Sequence, residues 1–598
     1  MRGLAVLAVT PVLAGLLSTS VASADGSSGD PIAVGSGGGV ATVDADATRI
    51  GLEVLAAGGT AADAAVAAAA ALGVTEPYSA GIGGGGFFVH YDAETGEVST
   101  LDGRETAPAA MEPDSFVDPA TGEALEFDRA VTSGLSVGVP GTPATWTAAL
   151  ERWGTLDLGE ALAPAEQLAR EGFAVDEEFR GQTQINEERF RAFPATADLF
   201  LPDGALPEVG SVFTNPDLAD TYAELGHQGV DWLYEGELAG EIAATAADPP
   251  VDPAATIPVA PGLMTTDDLA AYEVVEREPT HVDYRGVDVY GMGPPSSGGS
   301  TVGEALNILE QFELSAKDPV QALHLYLEAS RFAYADRNRY LGDPDFVDVP
   351  LEALLSDEFA AQRACLIDPD KAAVSPVPAG DPAADDVCAT APSGGADHEG
   401  PSTTHLVAAD RWGDVVSYTL TIEQTGGSGI TVPGRGFLLN NELTDFDFTP
   451  PPPGEPLPAN APAGGKRPRS SMAPTIVLAD GEPLLALGSP GGSTIITTVL
   501  QVLVNRLDLG LSLPEAVAAP RMSQRNTEDT IAEPAFLDSE LRTALEGYGH
   551  SFVPAPSTFG PQPEIGAVAA LEFLDDGRVA YVAEPERRGG GSAMALDK

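Results

Sequence analysis

The chain has 598 residues, 43% of them hydrophobic, and carries 90 acidic against 30 basic side chains for a formal charge of −60. Such a balance argues against nucleic acid or an anionic membrane as partner and favours solubility in salt, which screens self-repulsion. Salt tolerance is therefore one expectation, and a base-composition bias is the competing one. The length exceeds an ordinary single core, so two domains or one large layered domain is expected.

Residues 1–24 begin with Arg2, continue through the apolar run "LAVLAVTPVLAGLL" and end on the small-residue pattern Ala22–Ala24. That order predicts a secretory signal removed before Asp25, hence a secreted, extracellular or periplasmic protein. An N-terminal anchor is the alternative, and Pro11 and the small-residue exit weigh against it. The sequence contains no later apolar run of membrane-spanning length.

From about 40 to 75 the pattern predicts a short strand and two Ala-rich helices broken at Gly58–Gly59. "GIGGGGFF" at 81–88 then leads into a hairpin. No Lys-Ser/Thr follows, so close backbone packing is expected there, not a phosphate loop. The middle, about 140–380, is dominated by helical periodicity, and 367–401 is Pro/Ala/Asp/Gly-rich without a period, which predicts an exposed, flexible segment. Strand patterns return at "THLVAAD", "VVSYTLTI", "GFLLNN", "APTIVLAD" and "PLLALGSPGG"; a helix "TIITTVLQVLVNRLDL" separates them from further strands at 564–583. Strands at both ends with helices around them predict a layered α/β arrangement.

Several local patterns could carry chemistry. "GPSTTHLV" places Ser402, Thr403 and Thr404 at the mouth of a strand. A turn near Trp412 makes paired residue numbers sum to about 824, so Thr421 faces Thr403 with Cβ atoms roughly 4.5–5.5 Å apart. "LGSPGGS" puts Gly491 and Gly492 between a strand and a helix, where free backbone N–H groups suit an oxyanion or simply form a tight turn. "GLSVG" at 134–138 imitates a nucleophile elbow, but Pro140 and Pro143 deny Ser136 the helix that an elbow requires. Arg104 next to Glu105, the acidic run Glu442, Asp445, Asp447, and Ser470–Ser471 are individually weak signals. Together they suit a zwitterionic amino-acid ligand, with Arg and Ser for its carboxylate and acids for its ammonium. Cys365 and Cys388 stand 23 positions apart; an exported chain permits a disulfide there, and two free thiols are the alternative. No CxxC or Cys/His cluster suggests a metal.

The ordered set "GIGGGGFF", "DGRETAP", "LSVGVPGT", "PPSSGG", "FAYADRNRYLGDPDFV", "TTHLVAAD", "LLNNELTDFD", "KRPRSSM" and "GSPGGSTII" resembles the γ-glutamyltransferase (γ-glutamyltranspeptidase) family of N-terminal-nucleophile hydrolases. The resemblance implies an αββα sandwich built jointly by two subunits, with a large subunit 25–402 and a small one 403–598 cut from one precursor between Ser402 and Thr403. By the same resemblance Thr403 is the nucleophile, Thr421 orients it, and Gly491 and Gly492 stabilise the oxyanion. Arg104, Ser470 and Ser471 would bind the α-carboxylate of a γ-glutamyl group, and Glu423, Glu442 and Asp445 its ammonium. Glu423 follows the Bacillus-type branch, Arg469 stands where many members have Leu, and 449–465 replaces a segment that closes over the site in some members. The implied donors are glutathione, glutamine and other γ-glutamyl compounds, and the implied acceptors are amino acids, peptides or water. No metal or organic cofactor is called for. A cephalosporin or glutaryl acylase on the same scaffold is the enzymatic alternative, and a non-catalytic acidic secreted binding protein is the alternative from another class.

Overall fold

The structure is a computed structural model that describes residues 29–384, 388–392, 400, 402–449, 451, 454–557 and 563–598. The expected signal segment 1–24 lies outside the described residues.

Two seven-stranded sheets form the centre. One runs, in spatial order, Ser592–Ala595, Gly39–Thr42, Thr404–Ala409, Val415–Thr421, Gly85–Asp92, Glu97–Gly103 and Val275–Arg277. The other runs Ile32–Gly35, Val579–Ala583, Ala569–Phe573, Glu482–Gly488, Thr475–Ala479, Val287–Gly291 and Thr280–Tyr284. Neighbouring strands within both sheets pair antiparallel.

Alternation along each strand decides the layers, because successive side chains point to opposite faces. Val407, Ala409 and Val415 meet Ile476, Leu478, Leu571 and Tyr581 in a core between the sheets. Leu406, Ala408, Val416 and Tyr418 turn outward against the helices Ala45–Ala57 and Ala61–Thr75 and their neighbours. On the far side, Val477, Leu485, Leu487 and Val582 pack on Gly298–Glu310, Pro319–Tyr340 and Ile495–Leu507. The result is the αββα sandwich the resemblance implies.

The Ala-rich helix Ala61–Thr75 is buried along its whole length, as a sequence with no polar face requires. Its N-terminus is fixed by a capping box between Thr60 and Asp63. Residues before and after position 403 share both sheets: strands of the later segment fill the middle with strands of the earlier one on either side, and in the first sheet the later strand Ser592–Ala595 adds one edge beyond Gly39–Thr42.

Two expectations need correction. "GFLLNN" is not a strand; Leu438 forms only an isolated bridge with Thr431, because Gly434 and Gly436 take left-handed conformations and Asn440 and Asn441 spend their side chains on neighbouring loops. The segment that follows Asp368 and Pro369 is not uniformly exposed. Ala372, Val377 and Ala379 are buried, and Gly380 N–H donates to Asp336 at 2.5 Å. Its residues 385–387, 393–399 and 401 lie outside the described residues. Cys365 and Cys388 form a disulfide with Cα atoms 6.0 Å apart.

Candidate active site

The hairpin Thr404–Ala409/Val415–Thr421 pairs Thr404 with Leu420 and Ala409 with Val415, the register that a turn at Trp412 dictates. One step further on, Thr403 Oγ1 lies 3.3 Å from Thr421 Oγ1. Both hydroxyls converge on the Ser402 carbonyl oxygen: Thr403 Oγ1 is hydrogen-bonded to it and Thr421 Oγ1 donates at 3.1 Å. Thr421 Oγ1 also accepts the Glu423 N–H at 2.9 Å, which fixes its orientation. Ser402 is held by its own hydroxyl, 2.9 Å from Ser79 Oγ and 3.1 Å from the Tyr78 carbonyl.

Arg104 enters from the end of the strand Glu97–Gly103 and is almost fully buried. Its guanidinium pairs with Glu442 and Asp445, and it also donates to the carbonyls of Pro468 (3.2 Å) and Arg469 (3.0 Å). Glu442 and Asp445 sit on one short 3-10 turn, which brings both carboxylates to the same cation. Asn440 anchors that turn. It donates to the carbonyls of Gly83 (2.7 Å) and Gly138 (2.9 Å), and its oxygen accepts the N–H groups of Gly138 and Glu442. The glycine loop, the "LSVGVPG" loop and the acidic turn are thereby tied at one point. A Cβ at Gly83 would collide with the Leu438 carbonyl, so the glycines there serve close packing. Ser136 is buried, its hydroxyl donating to the Val131 and Ser133 carbonyls, and takes no part in the site.

Glu423 adopts a positive φ of 79° and is buried. Its carboxylate accepts from Asn441 Nδ2 and from the backbone N–H of Gly400, and burial pushes its pKa up to about 7. Glu105 does not pair with Arg104. Neither of its oxygens has a partner among the described residues, and burial raises its pKa to about 8.

Ser470 and Ser471 lie just before the strand Thr475–Ala479. Arg337, from the helix Pro319–Tyr340, donates to Ser471 Oγ at 2.7 Å and to Ser297 Oγ at 2.8 Å, locking the two Ser-Ser pairs together. Gly491 (φ 132°) and Gly492 (φ 54°) form the bend between the strand Glu482–Gly488 and the helix Ile495–Leu507.

Arg104, Thr403, Thr421, Glu423, Glu442, Asp445, Ser470, Ser471 and Gly492 line a single, nearly filled cavity, together with Gly400, Ser402, Met472 and Ile495. Gly491 adjoins Gly492 but is not among the lining residues. Only about 10 Å³ is open to the centre of a water molecule, room for about one. Gly400 and Ser402, among the lining residues, fill much of the space. Chemically, the cavity offers a hydroxyl pair against a carbonyl, a guanidinium, and a surplus of carboxylate.

Arg588 was not singled out in the sequence. It donates to the Thr403 carbonyl (2.7 Å), Ser79 Oγ (2.8 Å) and Glu76 (2.8 Å), bracing the Thr403 backbone from the far end of the chain. Its one signal is "RRGGG", a pair of cations in a chain poor in them. Asn460, within the 449–465 segment, donates to the Asp445 carbonyl at 2.6 Å and accepts the Arg469 N–H at 2.8 Å, fastening that segment beside the site.

Residues 47–596 match the family model described as Gamma-glutamyltranspeptidase. A glutathione hydrolase proenzyme from Bacillus subtilis (strain 168) is 38% identical over 579 residues, covering 94% of this chain and 93% of the relative. The one from Escherichia coli (strain K12) is 37% identical over 565 residues, 91% of each. An Acylase ACY 1 proenzyme from Pseudomonas sp. (strain SE83) is 35% identical over 558 residues, 92% of each. Among solved structures, a cephalosporin acylase from Bacillus halodurans superposes with a TM-score of 0.80 at 29% identity over 95% of this chain and 97% of that one. Helicobacter pylori gamma-glutamyltranspeptidase superposes with a TM-score of 0.52 at 35% identity over 55% of this chain and 91% of that one.

Proposed function

Because the chain belongs to the gamma-glutamyltranspeptidase family, we propose that it is a self-processing enzyme that transfers the γ-glutamyl group of glutathione or glutamine to amino acids, peptides or water. The observation that carries this reading is the convergence of a Thr–Thr pair, one arginine, three carboxylates and two serines on one buried cavity.

Processing comes first. Thr403 Oγ1 adds to the Ser402 carbonyl carbon, with Gly491 and Gly492 N–H groups and the Thr421 hydroxyl stabilising the oxyanion. The C–N bond breaks as the ester forms, and the nitrogen takes up a proton. Water then cleaves the ester, leaving a carboxylate on Ser402 and a free α-amino group on Thr403. The products are a large subunit ending at Ser402 and a small one beginning at Thr403. They remain a heterodimer because each sheet contains strands of both.

The new amine, with an ordinary pKa near ~8, then serves as base for the hydroxyl of its own residue. The hydroxyl attacks the γ-carbonyl of the donor, and the leaving amine departs with the proton. A γ-glutamyl ester remains on Thr403, and water or an amine acceptor releases it. Departure of Gly400 and Ser402 frees Glu423 from the Gly400 N–H. Glu423, Glu442 and Asp445 then receive the substrate ammonium; Glu442 Oε2 has no partner among the described residues. Arg104, Ser470 and Ser471 receive the α-carboxylate.

An acylase acting on glutaryl groups is the second reading, supported by the acylase relatives. Three carboxylates around one arginine favour a ligand that carries an ammonium, which a glutaryl group lacks. Parallel assays with γ-glutamyl-p-nitroanilide and glutaryl-p-nitroanilide separate the two. The proposal expects the γ-glutamyl compound to be much the better substrate; preference for the glutaryl compound overturns it. Export, with a signal removed before Asp25, and salt tolerance are parts of the same proposal that N-terminal sequencing of secreted protein and stability measurements in NaCl would test.

A further inference from the structure

Away from the site, His324 and Glu328 lie one turn apart on the helix Pro319–Tyr340, and His550 follows the helix Glu540–Gly547. All three are buried, and one ligand-capable atom from each lies within 4.8 Å of the others. His324 Nε2 is 2.9 Å from the Asp368 carbonyl, which can only accept, so Nε2 carries the proton and Nδ1 presents a lone pair. His324 Nδ1 is 2.8 Å from His550 Nε2, which must therefore donate, leaving His550 Nδ1 bare; that atom has no partner among the described residues.

We propose that His324, Glu328 and His550 form a binding site for a borderline divalent transition ion, Zn²⁺ foremost, which staples the segment before the processing point to the segment after it. Two imidazoles and a carboxylate are a common ligand set for that ion, with distances of about 2.0–2.2 Å. The His324 Nε2–H to Asp368 carbonyl bond is the kind of outer contact that fixes a ligating tautomer. Glu328 is likewise preset, by Arg331 Nε at 3.1 Å and the Ala373 N–H at 2.9 Å, and each oxygen keeps a second lone pair. Binding moves the His550 proton from Nε2 to the bare Nδ1, so no proton leaves the protein. The two ring nitrogens must part from 2.8 Å to about 3.3 Å for tetrahedral coordination. The Arg331 charge opposes the ion and is offset by Glu328.

The test is metal content. Purified protein is incubated with zinc sulfate, gel-filtered and analysed by plasma mass spectrometry, beside His324→Gln and His550→Gln. The expected result is about one zinc per large–small subunit pair in the wild type and near none in either variant, with γ-glutamyl-p-nitroanilide hydrolysis unchanged. No retained zinc in the wild type, or equal retention in folded variants, overturns the proposal. Should the variants fail to fold, wild-type crystals soaked in zinc decide by anomalous scattering. A peak between the three side chains supports the site, and a peak elsewhere or none refutes it.

Discussion

Replacing Thr421 by Val keeps the shape of the side chain and deletes its hydroxyl. Three contacts vanish: with Thr403 Oγ1 at 3.3 Å, with the Ser402 carbonyl at 3.1 Å and with the Glu423 N–H at 2.9 Å. The last leaves a buried N–H unsatisfied, which costs about 1–3 kcal/mol of stability. The second removes a donor from the oxygen that becomes an oxyanion, which slows such steps by about 10²–10³-fold. Thr421→Val should therefore accumulate uncut chain, with processing slowed by roughly that factor, while Thr421→Ser restores most of the rate. The assay is a time course of the purified precursor on denaturing gels, with circular dichroism to establish folding. Processing of a folded Thr421→Val chain at the wild-type rate would refute the role given to this hydroxyl.

Glu423 provides a pH test. Burial raises its pKa from 4.5 to about 7 in the uncut chain, so between those values the unfolded state ionises while the folded state stays protonated, and stability falls by about 3 kcal/mol as pH rises through that window. In a Thr403→Ala background, adding Glu423→Gln should shrink the drop in Tm between pH 5 and pH 8; an unchanged drop contradicts the assignment. The Cys365–Cys388 bridge closes a loop of 23 residues and is worth about 3 kcal/mol on the loop-entropy model. Cys388→Ser should lower the urea midpoint accordingly, and an unchanged midpoint would refute that contribution. With a charge of −60, Tm should climb with added NaCl as screening relieves repulsion; a flat or falling Tm argues for composition bias instead.

Much of the site is legible because its parts are set by local rules. The hairpin register follows from one short turn at Trp412, and that register alone brings Thr421 to Thr403. The Ala-rich helices and the strand-to-helix bend at Gly491–Gly492 follow from periodicity and glycine. The less legible features depend on contacts between distant segments. The pairing of Arg104 with Glu442 spans 338 residues, and adjacency in sequence suggests Glu105 instead. Arg588 reaches the Thr403 carbonyl across 185 residues, a contact that no local pattern announces. "GFLLNN" carries strand propensity, yet its two asparagines are spent on the loops beside the cavity, and tertiary bonding overrides the pattern.

The central claim is that the Ser402–Thr403 peptide is severed by Thr403 itself. Intact-mass analysis and N-terminal sequencing of purified active enzyme test it most directly, with Thr403→Ala beside it. The account predicts two polypeptides, the smaller beginning Thr-Thr-His, and one inactive full-length chain for the variant. Full activity in a preparation consisting of a single uncut chain would contradict it.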